Sequence, residues 1–165
     1  DRILELIEMV ELSKKFIDRF PDELSGGEKQ RLCIARALAA KPDLIICDEV
    51  TSALDQLIGE EILKLLQRLQ DELEVTYLFI THDLGVVAAI ADRVLVMYGG
   101  RPAEIASVDN LYENPQHPYT KALLSAVPVP DPTFTRAAVE IKGGVSKPIN
   151  PPPQCRFSTT SGQRR

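Results

Sequence analysis

The sequence predicts an α/β fold: a mostly parallel sheet with flanking helices, ending in a β-hairpin and a proline-rich extension. Three observations predict it. Two short apolar, β-branched runs, 44–47 and 76–80, alternate with stretches of helical periodicity. A Gly99-Gly100 pair separates two further strand-like runs, as a tight hairpin requires. Most of the 12 prolines lie beyond Ala106, where a packed-domain composition gives way to an extended one.

Taken in order, residues 2–12 place Ile3, Leu6, Ile7 and Val10 at helical spacing with glutamates between them. Phe20-Pro21-Asp22 breaks that pattern, and Ser25-Gly26-Gly27-Glu28 then reads as a capping box opening a second helix. Leu32, Ala35, Leu38 and Ala39 form its apolar face before Pro42 stops it. Leu44–Cys47 is wholly apolar and ends in Asp48-Glu49, so it reads as a strand buried on both faces. A long helix over about 56–73 carries Ile58, Ile62, Leu65, Leu66, Leu69 and Leu73 on one stripe. Residues 76–80 form a second buried strand running into Thr81-His82-Asp83, and residues 84–91 a short helix. Residues 93–98 and 101–105 pair across the two glycines. Beyond 106, only 118–127 reads as a helix, and the remainder as an extended, poorly packed tail.

Composition narrows the function classes. With 19 Lys+Arg against 24 Asp+Glu the net charge is −5, which lacks the positive excess of a phosphate-backbone binder, and no nucleic-acid partner is expected. No apolar run approaches the roughly 18–20 residues of a spanning helix, and residues 1–5 carry no secretory signal pattern, so a soluble, non-secreted chain is expected. Cys33, Cys47 and Cys155 are neither a disulfide framework nor a zinc pattern. The first residue is Asp1 rather than Met, which reads as a native start further upstream.

Three constellations carry chemistry. At Leu24–Arg31, two glycines at a helix start expose backbone N–H groups and allow close approach of an anion toward the positive end of the helix dipole. Taken alone, this segment is better read as a capped helix with a flexible entry. At Asp48-Glu49, adjacent carboxylates stand at the carboxyl end of a strand, where open α/β sheets place ligands. Asp48 could hold Mg²⁺ and Glu49 could orient or deprotonate a water; two solvated acids at a strand end are the bland alternative. His82 follows the second strand and could donate to a phosphate oxygen, or stand idle beside a capping Thr81 or Asp83.

Jointly, and in this order, these segments resemble the C-terminal part of an ABC-type P-loop ATPase domain, the nucleotide-binding unit of ATP-binding-cassette transporters. Leu24–Glu28 resembles the signature motif, with Glu28 where Gln is commoner; Leu44–Glu49 resembles Walker B followed by the catalytic glutamate. Ser52–Asp55 resembles the D-loop and His82 the switch histidine, while Val50 stands where the family usually has Pro. The resemblance implies Glu49 and His82 as catalytic, Ser25, Gly26, Gly27, Glu28 and Asp55 as nucleotide-contacting, and Asp48 as the Mg²⁺ ligand. Residues 114–124 and 127–132 are similar to the C-terminal extension of oligopeptide/dipeptide importer subunits, some of which also serve nickel or other small solutes. Division at 1–106 (ATPase domain) and 107–165 (extension, partly disordered) follows.

The same resemblance implies ATP and Mg²⁺ as cofactors and a second ABC ATPase domain as partner. Transmembrane permease subunits and, indirectly, an extracytoplasmic solute-binding protein complete the expected assembly, peripheral at the cytoplasmic face of the membrane. No Gly-x-x-x-x-Gly-Lys-Ser/Thr occurs, so the main phosphate cradle is not among these residues and the isolated chain is expected to be inactive. Some relatives bind an iron–sulfur cluster in the extension; here the pattern breaks after Phe157 into 158–165, which reads as a truncation or frameshift, and Cys155 alone cannot hold a cluster. Two alternatives are a non-transport ABC ATPase of DNA repair or the ribosome, and an inactive pseudo-subunit.

Overall fold

A computed structural model describes residues 1–127 and Phe157. The chain divides into two units, Asp1–Val86 and Val87–Arg165.

The first unit opens with α1 (Arg2–Met9), N-capped by the Asp1 carboxylate, which accepts from the Ile3 N–H. It ends with Glu11 in the left-handed region, φ 59°. Two single 3₁₀ turns lead to α2 (Gly26–Leu38). Its buried face is Ile34, Ala35 and Leu38; Ala39, expected on that face, is exposed because the helix has already ended. After Pro42 come β1 (Leu44–Asp48), α3 (Gln56–Leu73) and β2 (Thr76–Ile80). Along α3, Ile62, Leu65, Leu66 and Leu69 are fully buried, the core of this unit, whereas Leu73 at the last turn is exposed. α4 (Leu84–Ile90) follows and runs across the division between the units.

β1 and β2 pair in parallel, from Leu44 opposite Thr76 to Asp48 opposite Ile80. The expectation that both strands are buried on both faces does not hold. Ile45, Cys47, Tyr77 and Phe79 point inward, but Leu44 and Ile46 on β1 and Leu78 and Ile80 on β2 are about half or more exposed, Ile46 at 62%. Period-2 geometry puts these four on one face, and no element of this unit covers it.

In the second unit β3 (Arg93–Tyr98) and β4 (Arg101–Ser107) form an antiparallel hairpin. Gly99 and Gly100 both have positive φ, 56° and 75°, as a two-residue turn matching the strand twist requires. Next is α5 (Val108–Glu113), a helix where the sequence predicts extended chain, capped by Ser107 and anchored by the fully buried Leu111. With six residues and one apolar anchor it is too short to show periodicity. α6 (Pro118–Ser125) begins where expected. Phe157 is also not loosely packed: it is buried against Tyr98 and His117, both 5.2 Å between ring centres, and Tyr119, 6.1 Å. Residues 128–156 and 158–165, including Cys155, lie outside the described residues.

Candidate functional site

The parallel register builds the first half of the site. The ladder runs one bond past β1, where the Glu49 N–H donates to the Ile80 carbonyl at 2.9 Å. Glu49 is therefore held level with Ile80 at the end of β2, and Ile80 precedes His82 by two residues. The His82 Nδ1 lies 3.1 Å from Glu49 Oε1. When the carboxylate is ionised it can only accept, so Nδ1–H is then the donor of this contact and Nε2 is the ring's other polar atom. Both side chains are open to solvent, 78% for His82 and 52% for Glu49. The neighbours do the capping: Asp83 accepts from the N–H groups of Gly85 and Val86, and Thr81 Oγ1 accepts from the Asp83 N–H. Of the two alternatives for this segment, the cap belongs to Thr81 and Asp83, and His82 contacts the acid.

Glu49 has φ 46°, a left-handed conformation uncommon for a residue with a Cβ. The Ser52 N–H and hydroxyl both donate to its carbonyl, at 3.1 and 3.0 Å, and hold the bend. Backbone strain retained at a chemically equipped residue is a common mark of a functional position.

The second half is the start of α2. Ser25 and Glu28 form the expected capping box: Ser25 Oγ accepts from the Glu28 N–H (3.3 Å), and Glu28 Oε2 accepts from the Ser25 N–H (2.8 Å). The Ser25 N–H, followed by its hydroxyl, holds the Glu28 carboxyl below the ordinary value. The two glycines have a role the sequence did not disclose. A Cβ on Gly27 would lie 2.7 Å from Ile58 Cγ2, and one on Gly26 3.3 Å from Leu54 Cδ2. The signature-like segment is thus packed against the first turn of α3 and the loop before it. Asp55 caps that turn, accepting from the Ile58 N–H at 3.1 Å.

Asp48 is exposed at the end of β1. Among the described residues no group of three or more His, Cys, Asp and Glu forms a metal cage. Mg²⁺ needs none: it is usually held by one or two carboxylates with water and phosphate oxygens, so Asp48 fits that ion. The ATP phosphates fit these residues only in part, since the Gly-Lys cradle is not in the chain. Among the described residues no helix is long and apolar enough to cross a membrane.

The family model "ABC transporter" matches residues 1–52, and "Oligopeptide/dipeptide transporter, C-terminal region" matches residues 103–164. The chain belongs to the ATP-binding-cassette family. It is 47% identical over 158 residues to the dipeptide transport ATP-binding protein DppF of Haemophilus influenzae, covering 96% of this chain and 48% of that protein. To the oligopeptide transport ATP-binding protein OppF of Salmonella typhimurium it is 50% identical over 161 residues, with the same coverage of 96% and 48%. This ABC chain spans about half the length of the curated relatives it matches. Among solved structures, the ATP-binding cassette MJ0796, in a dimeric post-hydrolysis state bound to ADP and Pi, superposes with a TM-score of 0.56. Its identity is 38%, covering 65% of this chain and 46% of that one.

Proposed function

We propose that these residues work within the ATP-hydrolysing subunit of an ABC importer of short peptides, or of nickel or another small solute, with 1–106 as cassette and 107–165 as extension. The observation that carries the reading is the Glu49–His82 contact at the end of a parallel strand pair. It is supported by 47–50% identity to peptide-transport ATP-binding proteins over 96% of the chain. Bound MgATP would supply the phosphoanhydride and the neutralising cation, with Asp48 on the metal side.

Each residue has a task. Glu49 accepts a proton from the attacking water, its carboxylate standing beside His82 just past the end of β1. His82, oriented by its Nδ1–H donation to Glu49, offers its other nitrogen toward developing phosphate charge. The N–H groups at the start of α2 face an anion with the positive end of that helix. Ser25, Gly26, Gly27, Glu28 and Asp55 contact the nucleotide held by a second ATPase domain, in keeping with the dimeric cassette to which this chain is similar. Permease subunits and, through them, a solute-binding protein complete the assembly at the cytoplasmic membrane face. No iron–sulfur cluster is assigned, Cys155 being the single cysteine of the extension.

The exposed apolar face of β1 and β2 supports the partial-cassette reading. Parallel sheets are covered on both faces, and the relatives have about as many residues again as this chain matches. The remaining half of the cassette is the cover we assign to Leu44, Ile46, Leu78 and Ile80.

The test is phosphate release by the full-length subunit with its permease. Glu49→Gln should reduce turnover by at least the roughly 10²–10⁴-fold of a general base while ATP binding survives. Near-normal hydrolysis would remove Glu49 from the role, and absence of any ATPase activity in the unsubstituted subunit would favour the pseudo-subunit.

A further inference from the structure

Outside the site, the densest ionic cluster of the first unit converges on Glu11. α1 closes with the bond pair of a Schellman end: the Glu11 N–H donates to the Glu8 carbonyl (2.9 Å) and the Leu12 N–H to the Ile7 carbonyl (3.0 Å), with Leu12 buried. The left-handed position of such an end is usually glycine, because a Cβ is disfavoured there. Here it is Glu11, at φ 59°. The backbone alone would be better served by glycine, so the side chain is what the position retains.

That side chain holds two arginines from two helices. Arg31 of α2 reaches Glu11 Oε2 at 2.7 Å, and Arg68 of α3 reaches Oε1 at 3.3 Å. Each arginine also donates to the last carbonyls of α1, Arg31 to Val10 at 3.0 Å and Arg68 to Met9 at 2.7 Å. Glu61, 3.6 Å from Arg31, and Glu72, 3.0 Å from Arg68, orient the outer sides of the guanidinium groups. Arg31 is largely buried, its side chain 14% exposed, so its geometry is fixed by packing as well as charge. At the starts of the same two helices, Gly27 sits against Ile58 with no room for a methyl group. Two contacts, one at Glu11 and one at Gly27, thus lock α2 to α3.

We propose that Glu11 is a positioning residue: its one carboxylate, presented by the left-handed end of α1, fixes the signature-bearing helix α2 and the Asp55-capped helix α3 as a single rigid body. Ser25 and Asp55, the N-caps of the two helices, then keep a constant spacing. The importance of that spacing to ATP turnover rests on the function proposed above; the rigid coupling itself does not. Gln at position 11 offers one acceptor oxygen and an NH₂ that repels a guanidinium, so it can hold only one of the two arginines. Gly at 11 suits the backbone and holds neither, which separates the conformational role from the ionic one. Lys at 31 keeps the charge but has a single nitrogen, so it cannot donate to Val10 and Glu11, as one arginine nitrogen does, and also set a second nitrogen beside Glu61.

The experiment is amide spectroscopy and hydrogen exchange on the 165-residue chain, comparing Glu11→Gln, Glu11→Gly, Arg31→Lys and the control Arg2→Ala. The control breaks the exposed Arg2–Glu5 pair on the same α1. The first three should shift the Gly26, Gly27 and Ile58 amide resonances together. Exchange at the starts of α2 and α3 should rise about tenfold, as the loss of one charge-assisted hydrogen bond implies, with β1 and β2 unchanged. A uniform rise through the whole first unit, or unmoved Gly26, Gly27 and Ile58 resonances, would overturn the proposal. Should Glu11→Gly fail to fold, Arg31→Lys carries the same comparison. None of these readouts involves nucleotide, so failure here and failure of the ATPase reading are seen separately.

Discussion

Glu49 and His82, 33 positions apart in the chain, stand 3.1 Å apart because their strands are parallel and in register to the last residue. The contact orients the His82 ring through Glu49. His82→Ala in the full-length subunit should therefore impair turnover through lost stabilisation of the departing phosphate, with MgATP binding retained. His82→Gln, which can donate to Glu49, should recover part of the loss; equal activity in all three proteins would place His82 outside the chemistry.

Gly27→Ala should destabilise the chain by about 1–3 kcal/mol, the usual cost of forcing a methyl group into a filled site. The opposing atom is a branched methyl carbon of Ile58, which cannot swing aside as the end of a long side chain would. Chemical denaturation measures this, and if the clash is the cause Gly27→Ala/Ile58→Ala, which removes the opposing Cγ2, should cost less than the sum of the two single substitutions. Gly26→Ala, facing Leu54 at 3.3 Å, should cost less.

Acid should weaken the fold in a defined window. The Arg31 guanidinium holds Glu11 below its ordinary value of 4.5, and the Ser25 N–H does the same for Glu28. Burial acts to raise Glu104, but the N–H groups of Gln116 and His117, which donate to it at 2.8 and 2.9 Å, hold it below 4.5 as well. A carboxyl whose folded value is depressed contributes stability above its unfolded value and loses it as pH falls through the folded one. The thermal midpoint should thus hold above pH 4.5 and fall below it, and Glu11→Gln should flatten that fall without removing it.

The second unit should depend on Phe157. Three aromatic rings surround it. Phe157→Ala should cost about 3–5 kcal/mol, as for other buried phenylalanines. Calorimetry of the intact chain reads this, and a change under 1 kcal/mol would mean the ring is not part of the core of that unit.

Thiol labelling should separate two of the cysteines. Cys47 is buried on the inner face of β1, and burial pushes its thiol up to about 11, whereas Cys33 is exposed on α2. Since the thiolate is the reactive form, mass spectrometry after brief alkylation near neutral pH should find Cys33 modified well before Cys47. Equal rates would contradict the inward orientation of β1.

Local chemistry was legible before any coordinates. The Ser25–Glu28 box, the two positive-φ glycines and the α3 stripe are set by residues within a few positions of one another, so propensity and periodicity alone determine them. The order of Ser25, Asp48, Glu49, Asp55 and His82 along the chain also sufficed to name the family. What only the tertiary structure decided depends on which segments meet. Apolar composition at 44–47 and 76–80 says the strands want cover on both faces, but not whether these residues provide it, and one face proves bare. Gly27 looked like a place for an anion, and its tight fit to Ile58 could not be read because the two are remote until α2 and α3 pack. Glu11 looked like one acid among many on an amphipathic helix. Its hold on Arg31 and Arg68 exists because the end of α1 meets the sides of α2 and α3 there, and the meeting of segments distant in the chain is a property of packing that no local pattern records.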